Sequence, residues 1–202
     1  MPREATRRHV RLVALSRDPV RGSVREVRLR VVWLFLLPFY FWAAPTPQGL
    51  VLGTGLGVLG LGLRAWAAGS IRKYRELATG GPYAYTRNPL YLGSFILGVG
   101  LTVAGGRWLF FVLLMAFFLW IYRTTALREA VELKELFGEA YETYAAGVPL
   151  FLPRVTAFRA DGGQSGSSGF SWARYHRNRE WEAALGGVAG FGFLAVKMML
   201  WD

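Results

Sequence analysis

Long charge-free apolar runs, separated by short basic stretches, organise this chain. No charged residue falls between Val31 and Leu63, and Pro45-Thr46-Pro47 divides that run, since proline interrupts a helix by removing a backbone donor. A hairpin of two apolar helices follows, Val31 to Ala44 and Gln48 to Ala68. A bilayer-spanning helix needs roughly 20 apolar residues, so the first must borrow Val27 to Arg30, whose arginines snorkel to the headgroups. Three further runs, Pro89 to Ala104, Trp108 to Tyr122 and Ala183 to Val196, predict three more helices, the first two joined by a tight Gly105-Gly106 turn. Thr124 to Gly147 has a different pattern: Leu127, Val131, Leu133, Leu136, Phe137, Tyr141 and Tyr144 recur at near-helical spacing among charged residues. The expectation is an all-α, polytopic membrane helical bundle of about five transmembrane helices, with a cytoplasmic amphipathic helix.

A soluble helical bundle is the alternative for runs this short, and charge separates the two. The chain is 53% hydrophobic and 18% charged, with a formal net charge of +11. Basic residues gather before Arg30, between Arg64 and Arg87, and from Arg123 onward, while the turns at Pro45 to Gln48 and Gly105-Gly106 carry none. That is the positive-inside pattern. It places the N-terminus and the loop before Pro89 on the cytoplasmic side of an integral membrane protein, expected in a bacterial inner membrane. The basic residues form no continuous stripe of the kind nucleic acid requires, so anionic membrane lipids are the expected partner. The sequence identifies no protein partner. With no cysteine and only His176 outside the N-terminal arm, neither a disulfide framework nor a metal site is predicted. Four regions result: a basic arm over 1–30, a membrane core over 31–159, a flexible Gly/Ser linker over 160–169, and an aromatic-basic segment leading into a C-terminal transmembrane helix over 170–202.

The richest polar chemistry lies in Thr79 to Gly93, TGGPYAYTRNPLYLG. Pro82 and Pro89 push the residues before them toward extended geometry, so Asn88 falls just outside a helix whose first turn begins at Pro89. Asn88 is then a candidate N-cap. The helix start and the Arg87 guanidinium make a receptor for a carboxylate or other anion, and Tyr83, Tyr85 and Tyr91 supply flat apolar faces with polar tips. On local physics alone a second reading stays open, in which Arg87 holds lipid headgroups and the tyrosines form an interfacial belt. Glu129 and Glu132, three apart and so on one helix face, either serve this same region or belong to a solvated stripe with Glu135 and Glu139. Gly53-Thr54-Gly55-Leu56-Gly57 invites comparison with a nucleotide-binding loop, but no strand precedes it. Gly53, Gly57 and Gly60, with Gly186 and Gly190 later, are expected to form small-residue faces for close helix packing.

Taken together, Gly81-Pro82-Tyr83 through Arg87-Asn88-Pro89-Leu90-Tyr91-Leu92-Gly93, and Glu129-Ala130-Val131-Glu132-Leu133 with Phe137-Gly138, Tyr141, Tyr144 and Val148-Pro149, form a pairing. It resembles the integral-membrane methyltransferases of the isoprenylcysteine carboxyl methyltransferase and phospholipid methyltransferase superfamily. The likeness covers about Leu61 to Pro153. Two positions depart from the family pattern: Asn88 stands for a histidine, and Ala130 for the second glutamate of a pair.

The resemblance implies S-adenosylmethionine as cofactor and a lipophilic methyl acceptor, a lipid or lipid-modified carboxylate or amine. It assigns cofactor contact to Tyr83, Tyr85, Arg87, Asn88, Pro89, Leu90, Tyr91, Gly93, Glu129, Glu132, Tyr141, Val148 and Pro149. Arg87, Glu129 and Glu132 take catalytic roles, and Arg123 is expected to orient a carboxylate substrate. A non-enzymatic membrane scaffold or lipid-binding protein is the rival class, and a nicotinamide-dependent membrane reductase a more distant one.

Overall fold

The computed structural model describes residues 34, 36–72, 76–159 and 169–201. It comprises two units, Met1–Trp42 and Ala43–Asp202. In the first, residues 36–42 are helical; the basic arm, the start of the first expected span and most of the 160–169 linker lie outside the described residues.

The second unit is built from helices alone among the described residues. Helix α1 (Pro47–Ser70) opens as proline chemistry dictates: Thr46 is extended, its Oγ1 accepts from the Gly49 N–H at 3.2 Å, and Pro47 sits where no backbone donor is needed. A 3-10 turn (Gly81–Ala84) leads to α2 (Pro89–Ala104), then α3 (Trp108–Phe137), α4 (Glu139–Gly147), α5 (Trp172–Arg177) and α6 (Trp181–Trp201). By length and composition α1, α3 and α6 can each cross a membrane, while α2 is apolar but shorter, at 16 residues. The all-helical membrane bundle expected from the sequence is thus the architecture found, and of the about five spans expected, three are long and apolar enough among the described residues.

One boundary differs. The fourth apolar run and the amphipathic stretch after it form a single 30-residue helix, α3. No proline or glycine interrupts Trp108 to Phe137, so nothing stops the helix where the charges begin. It ends at Gly138, whose φ of 57° is a left-handed conformation that glycine adopts without strain. The amphipathic reading survives beyond that break as α4.

Helices α1 and α2 run antiparallel and share the most extensive contact of the unit. Their glycines make it possible. A Cβ on Gly60 would stand 2.6 Å from the Gly93 carbonyl oxygen, and one on Gly100 2.5 Å from that of Gly53. Gly57 receives the ring of Phe191 from α6. The packing role expected for Gly53, Gly57 and Gly60 is therefore met. Gly186 has open space around it instead, and the neighbouring Gly187 makes the approach, with Leu61 3.0 Å from the Cβ it lacks. The step from 186 to 187 is a rotation of about 100° round the helix, enough to exchange faces. At one end of the α1–α2 pair, the Ala44 N–H donates to Gly105 O at 2.9 Å, so the two uncharged turns adjoin as the charge pattern requires.

At the opposite end, the segment before α6 closes α1. Arg174 Nε donates to Gly69 O at 2.6 Å, Asn178 Nδ2 to Ala68 O at 2.8 Å, and the Ser171 N–H to Gly69 O at 3.0 Å. These carbonyls belong to the last turn, where no intrahelical donor remains and a cation is favoured by the helix dipole.

Space at each glycine gives a direct test. Gly60→Ala should destabilise the protein by about 1–3 kcal/mol through forced separation of the backbones. Gly55→Ala, with nothing within 4 Å, should be neutral or stabilising by up to about 1 kcal/mol. Thermal unfolding of the two variants in detergent measures the difference, and equal melting temperatures would refute the packing argument.

Candidate functional site

The stretch before α2 is held open by glycine and closed by distant backbone. Gly81 takes φ 58°, allowing the chain to turn into Pro82, Tyr83 and Ala84, all buried. Residues 84–87 then lie along the segment that follows α4. The Arg87 N–H donates to Pro149 O at 3.0 Å, the Arg154 N–H to Tyr85 O at 2.9 Å, and the Phe158 N–H to Ala84 O at 2.9 Å. Thr86, only 2% exposed, donates its hydroxyl to Phe151 O at 2.8 Å and accepts the Asn88 N–H at 3.3 Å. Sixty residues of intervening chain are thus folded back so that the two polar motifs meet.

Asn88 does not cap α2 with its side chain, as the sequence leads one to expect. Its Nδ2 donates to Leu150 O at 3.0 Å instead. With φ −128° and ψ 58° its backbone is turned toward the 149–151 segment, and an amide, unlike a carboxylate, can donate to the carbonyl there.

Arg87 lies at the centre of this junction. Its Nη1 donates to the Tyr141 hydroxyl at 3.3 Å, while its Nε is buried and has no hydrogen-bond partner. Tyr141 belongs to a buried cluster with Tyr144 and Val148, packed with Leu77, Ala130, Leu133 and Phe137. Tyr144 crosses the junction in the other direction, its hydroxyl donating to Tyr83 O at 2.7 Å. Burial pushes the Tyr144 phenol pKa up, against the nearby Arg87 charge that lowers it. Tyr83 is pushed up more strongly, first by burial and then by the Glu129 and Tyr144 charges, with a contribution from Glu180. Its hydroxyl is also buried without a partner, as is that of Tyr122. Tyr122 sits among aromatic rings from three elements: Tyr91 at 6.3 Å, Phe118 stacked at 5.7 Å, and Phe151 at 4.9 Å.

Of the sequence-predicted residues, Tyr83, Arg87, Asn88, Tyr141, Val148 and Pro149 are joined directly or through one neighbour. Tyr85 takes part through its backbone. Glu129, half-buried, bears electrostatically on Tyr83, and Glu132 lies 3.6 Å from Arg128 Nε with its side chain 12% exposed. Pro89 is buried, Leu90 O accepts from Ser94 Oγ at 2.8 Å, and Gly93 is matched to the stem of Arg64. Arg123 stands apart, exposed on α3. Thr86, Arg154 and Phe151 are structural partners that the sequence reading did not single out. A threonine three residues before a Pro-initiated helix was the available signal, since its hydroxyl, once buried, must find a carbonyl.

Residues 50–140 match the family model described as phospholipid methyltransferase. This stretch is similar to the integral-membrane methyltransferase superfamily. Among curated proteins it is similar to the nickel-cobalt-cadmium resistance protein NccN of Alcaligenes xylosoxydans xylosoxydans, at 36% identity over 114 residues, 55% of this chain and 51% of that one. It is also similar to the cobalt-zinc-cadmium resistance protein CzcN of Cupriavidus metallidurans, at 35% over 125 residues, 59% and 55% of the respective chains. The protein-S-isoprenylcysteine O-methyltransferase of Schizosaccharomyces pombe shares 35% over 80 residues, 39% of this chain and 34% of its own. Matches to the first two span about half their length. No solved structure matches.

Two measurements follow from the buried phenols of this junction. Tyr144→Phe removes the donor to a carbonyl of a buried residue and should cost about 1–3 kcal/mol in thermal or denaturant unfolding. The raised Tyr83 pKa means the folded protein resists ionising it while the unfolded chain ionises near 10.0. Its contribution to stability should be intact below that pH and lost progressively above it. Tyr83→Phe should therefore flatten the alkaline decline of the melting temperature above pH 10; an unchanged decline would contradict the burial of this hydroxyl.

Proposed function

We propose that this chain is an S-adenosylmethionine-dependent methyltransferase acting on a lipid or lipid-modified acceptor at the membrane. The observation that carries the reading is the convergence on Arg87, where the two family motifs are joined by the bonds to Pro149 and Tyr141 and a buried Nε is left without a partner.

The residues present fit the cofactor. Its carboxylate suits Arg87, whose desolvated donor gains most from an anionic acceptor. Its amino and ribose groups suit Glu129, the carboxylate whose charge already reaches Tyr83, with Glu132 beside it. The Tyr83 hydroxyl can donate or accept, while Tyr85, Tyr91, Leu90 and the Val148-Pro149 turn offer an apolar enclosure for adenine. When bound, the cofactor supplies an electrophilic methyl group on a sulfonium.

The chain's own task is then orientation and exclusion of water, which dominate an in-line displacement. The buried Tyr141–Tyr144–Val148 cluster and the hydrogen bonds of residues 84–88 hold Arg87 rigidly enough for it. For an amine acceptor a glutamate, Glu129 or Glu132, removes a proton; for a carboxylate acceptor an arginine orients the oxygen. Arg123, exposed on α3, or Arg87 serves as that arginine. Apolar α1, α3 and α6 keep a lipophilic acceptor's tail in the bilayer, with the site facing the cytoplasm of a bacterial inner membrane. The metal-resistance names of two relatives fit this reading only indirectly, through modification of a membrane component.

Isothermal calorimetry of the detergent-purified chain with S-adenosylmethionine tests it. Binding is expected, weakened on the order of 10–100-fold by Arg87→Ala, the loss of one charge-assisted hydrogen-bonded contact. Folded protein that binds no cofactor, or an Arg87→Ala variant that binds as well as the parent, would return the scaffold reading to first place.

A further inference from the structure

The C-terminal segment lies outside the matched residues 50–140, yet it delivers a carboxylate to the α1 arginine that reaches the start of α2. Glu180 is 7% exposed, and its Oε1 accepts from Arg64 Nε at 2.5 Å. Through Nη1, Arg64 then donates to Ser94 Oγ and, at 3.5 Å, to Leu90 O. Ser94 Oγ returns a bond to the same Leu90 carbonyl at 2.8 Å. The stem of Arg64 lies where a side chain at Gly93 would have to go, 2.6 Å from the Cβ that glycine lacks. One guanidinium thereby ties α1, the first two turns of α2 and the entry to α6.

The segment is built to hold Glu180 there. Arg174, Asn178 and Ser171 fasten it to the last carbonyls of α1. Arg179 adopts φ 55°, a left-handed conformation costly for a side chain of this size, immediately before Glu180. A bare C-terminal anchor requires neither that backbone turn nor a buried carboxylate. The Glu180 charge also contributes, after burial and the Glu129 and Tyr144 charges, to raising the pKa of Tyr83, the buried phenol of the site loop.

We propose that Glu180 is a positioning residue of the methyl-transfer site: by holding Arg64 against Ser94 and Leu90, it fixes the α2 start that follows Arg87-Asn88-Pro89. The C-terminal segment is then a component of the site rather than a separate membrane anchor. This inference rests on the methyl-transfer reading for its functional meaning, but its structural content is testable without cofactor.

The experiment is amide hydrogen exchange on full-length protein in detergent, cofactor-free, comparing the parent with Glu180→Gln, Arg64→Gln and the double variant. Glu180→Gln should accelerate exchange over residues 89–96 by about tenfold or more, as a locally weakened turn does. Arg64→Gln should give the same footprint, and the double variant no more than either single one, the mark of a shared interaction. Glu180→Asp, which keeps the charge, should restore most of the protection even if Glu180→Gln folds poorly. Changes confined to 170–182, or additive effects of the two substitutions, would overturn the proposal. S-adenosylmethionine titration of the same samples separates the two claims. If the parent binds and Glu180→Gln binds about tenfold more weakly, both stand. Unchanged affinity in Glu180→Gln overturns the positioning role alone. Failure of the parent to bind overturns the methyltransferase reading, and with it the functional half of this inference.

Discussion

Backbone-to-backbone approach of α1 and α2 is the constraint from which the other contacts follow. Lipid is as apolar as leucine, so helices inside a bilayer gain little from burying hydrophobic surface against each other and associate through packing at short range. Gly53, Gly60, Gly93 and Gly100 provide that range by leaving each carbonyl of one helix against bare backbone of the other. Two of the four, Gly60 and Gly93, sit at the end where the polar chemistry lies. Fixing them fixes the direction in which the chain enters α2, and hence where Arg87 and Asn88 are presented.

On that foundation the junction is made of directional bonds. Residues 84–88 and 149–158 form no regular sheet, yet backbone and Thr86 side-chain bonds register one against the other. The surrounding phenols divide into two kinds. Tyr141 and Tyr144 have partners within the protein, accepting from Arg87 and donating to Tyr83 O. Tyr83 and Tyr122 keep their hydroxyls unpartnered in buried surroundings, an expensive state for a polar group.

What was legible in the sequence followed local rules. Pro47 and Pro89 marked helix starts, the small-residue spacing at Gly53, Gly57 and Gly60 marked a close crossing, and the alternation of apolar runs with arginine clusters marked a membrane bundle. The pairing of the 79–93 and 129–149 motifs was legible only because both halves matched one family pattern; nothing local to either points to the other. Reading failed where a local rule competed with a distant partner. Asn88 had the right place for a cap and found Leu150 O instead. Charges beginning at Arg123 looked like a helix boundary, whereas only Gly138 had the backbone freedom to make one. The Arg174, Asn178 and Glu180 contacts to α1 were invisible, because they join residues more than a hundred positions apart and leave no periodic trace.

The unbroken length of α3 couples this protein to its solvent in a particular way. Thirty residues at about 1.5 Å each make a rod of roughly 45 Å, against a hydrocarbon slab of about 30 Å. The surplus turns carry Glu129 and Glu132 beyond the apolar run that begins at Trp108, on the same helix. Membrane thickness thus enters as a mechanical variable. A bilayer a few ångströms thicker or thinner, compensated by tilting this rod, alters the elevation of the acidic turn above the lipid surface without changing any bond within the protein.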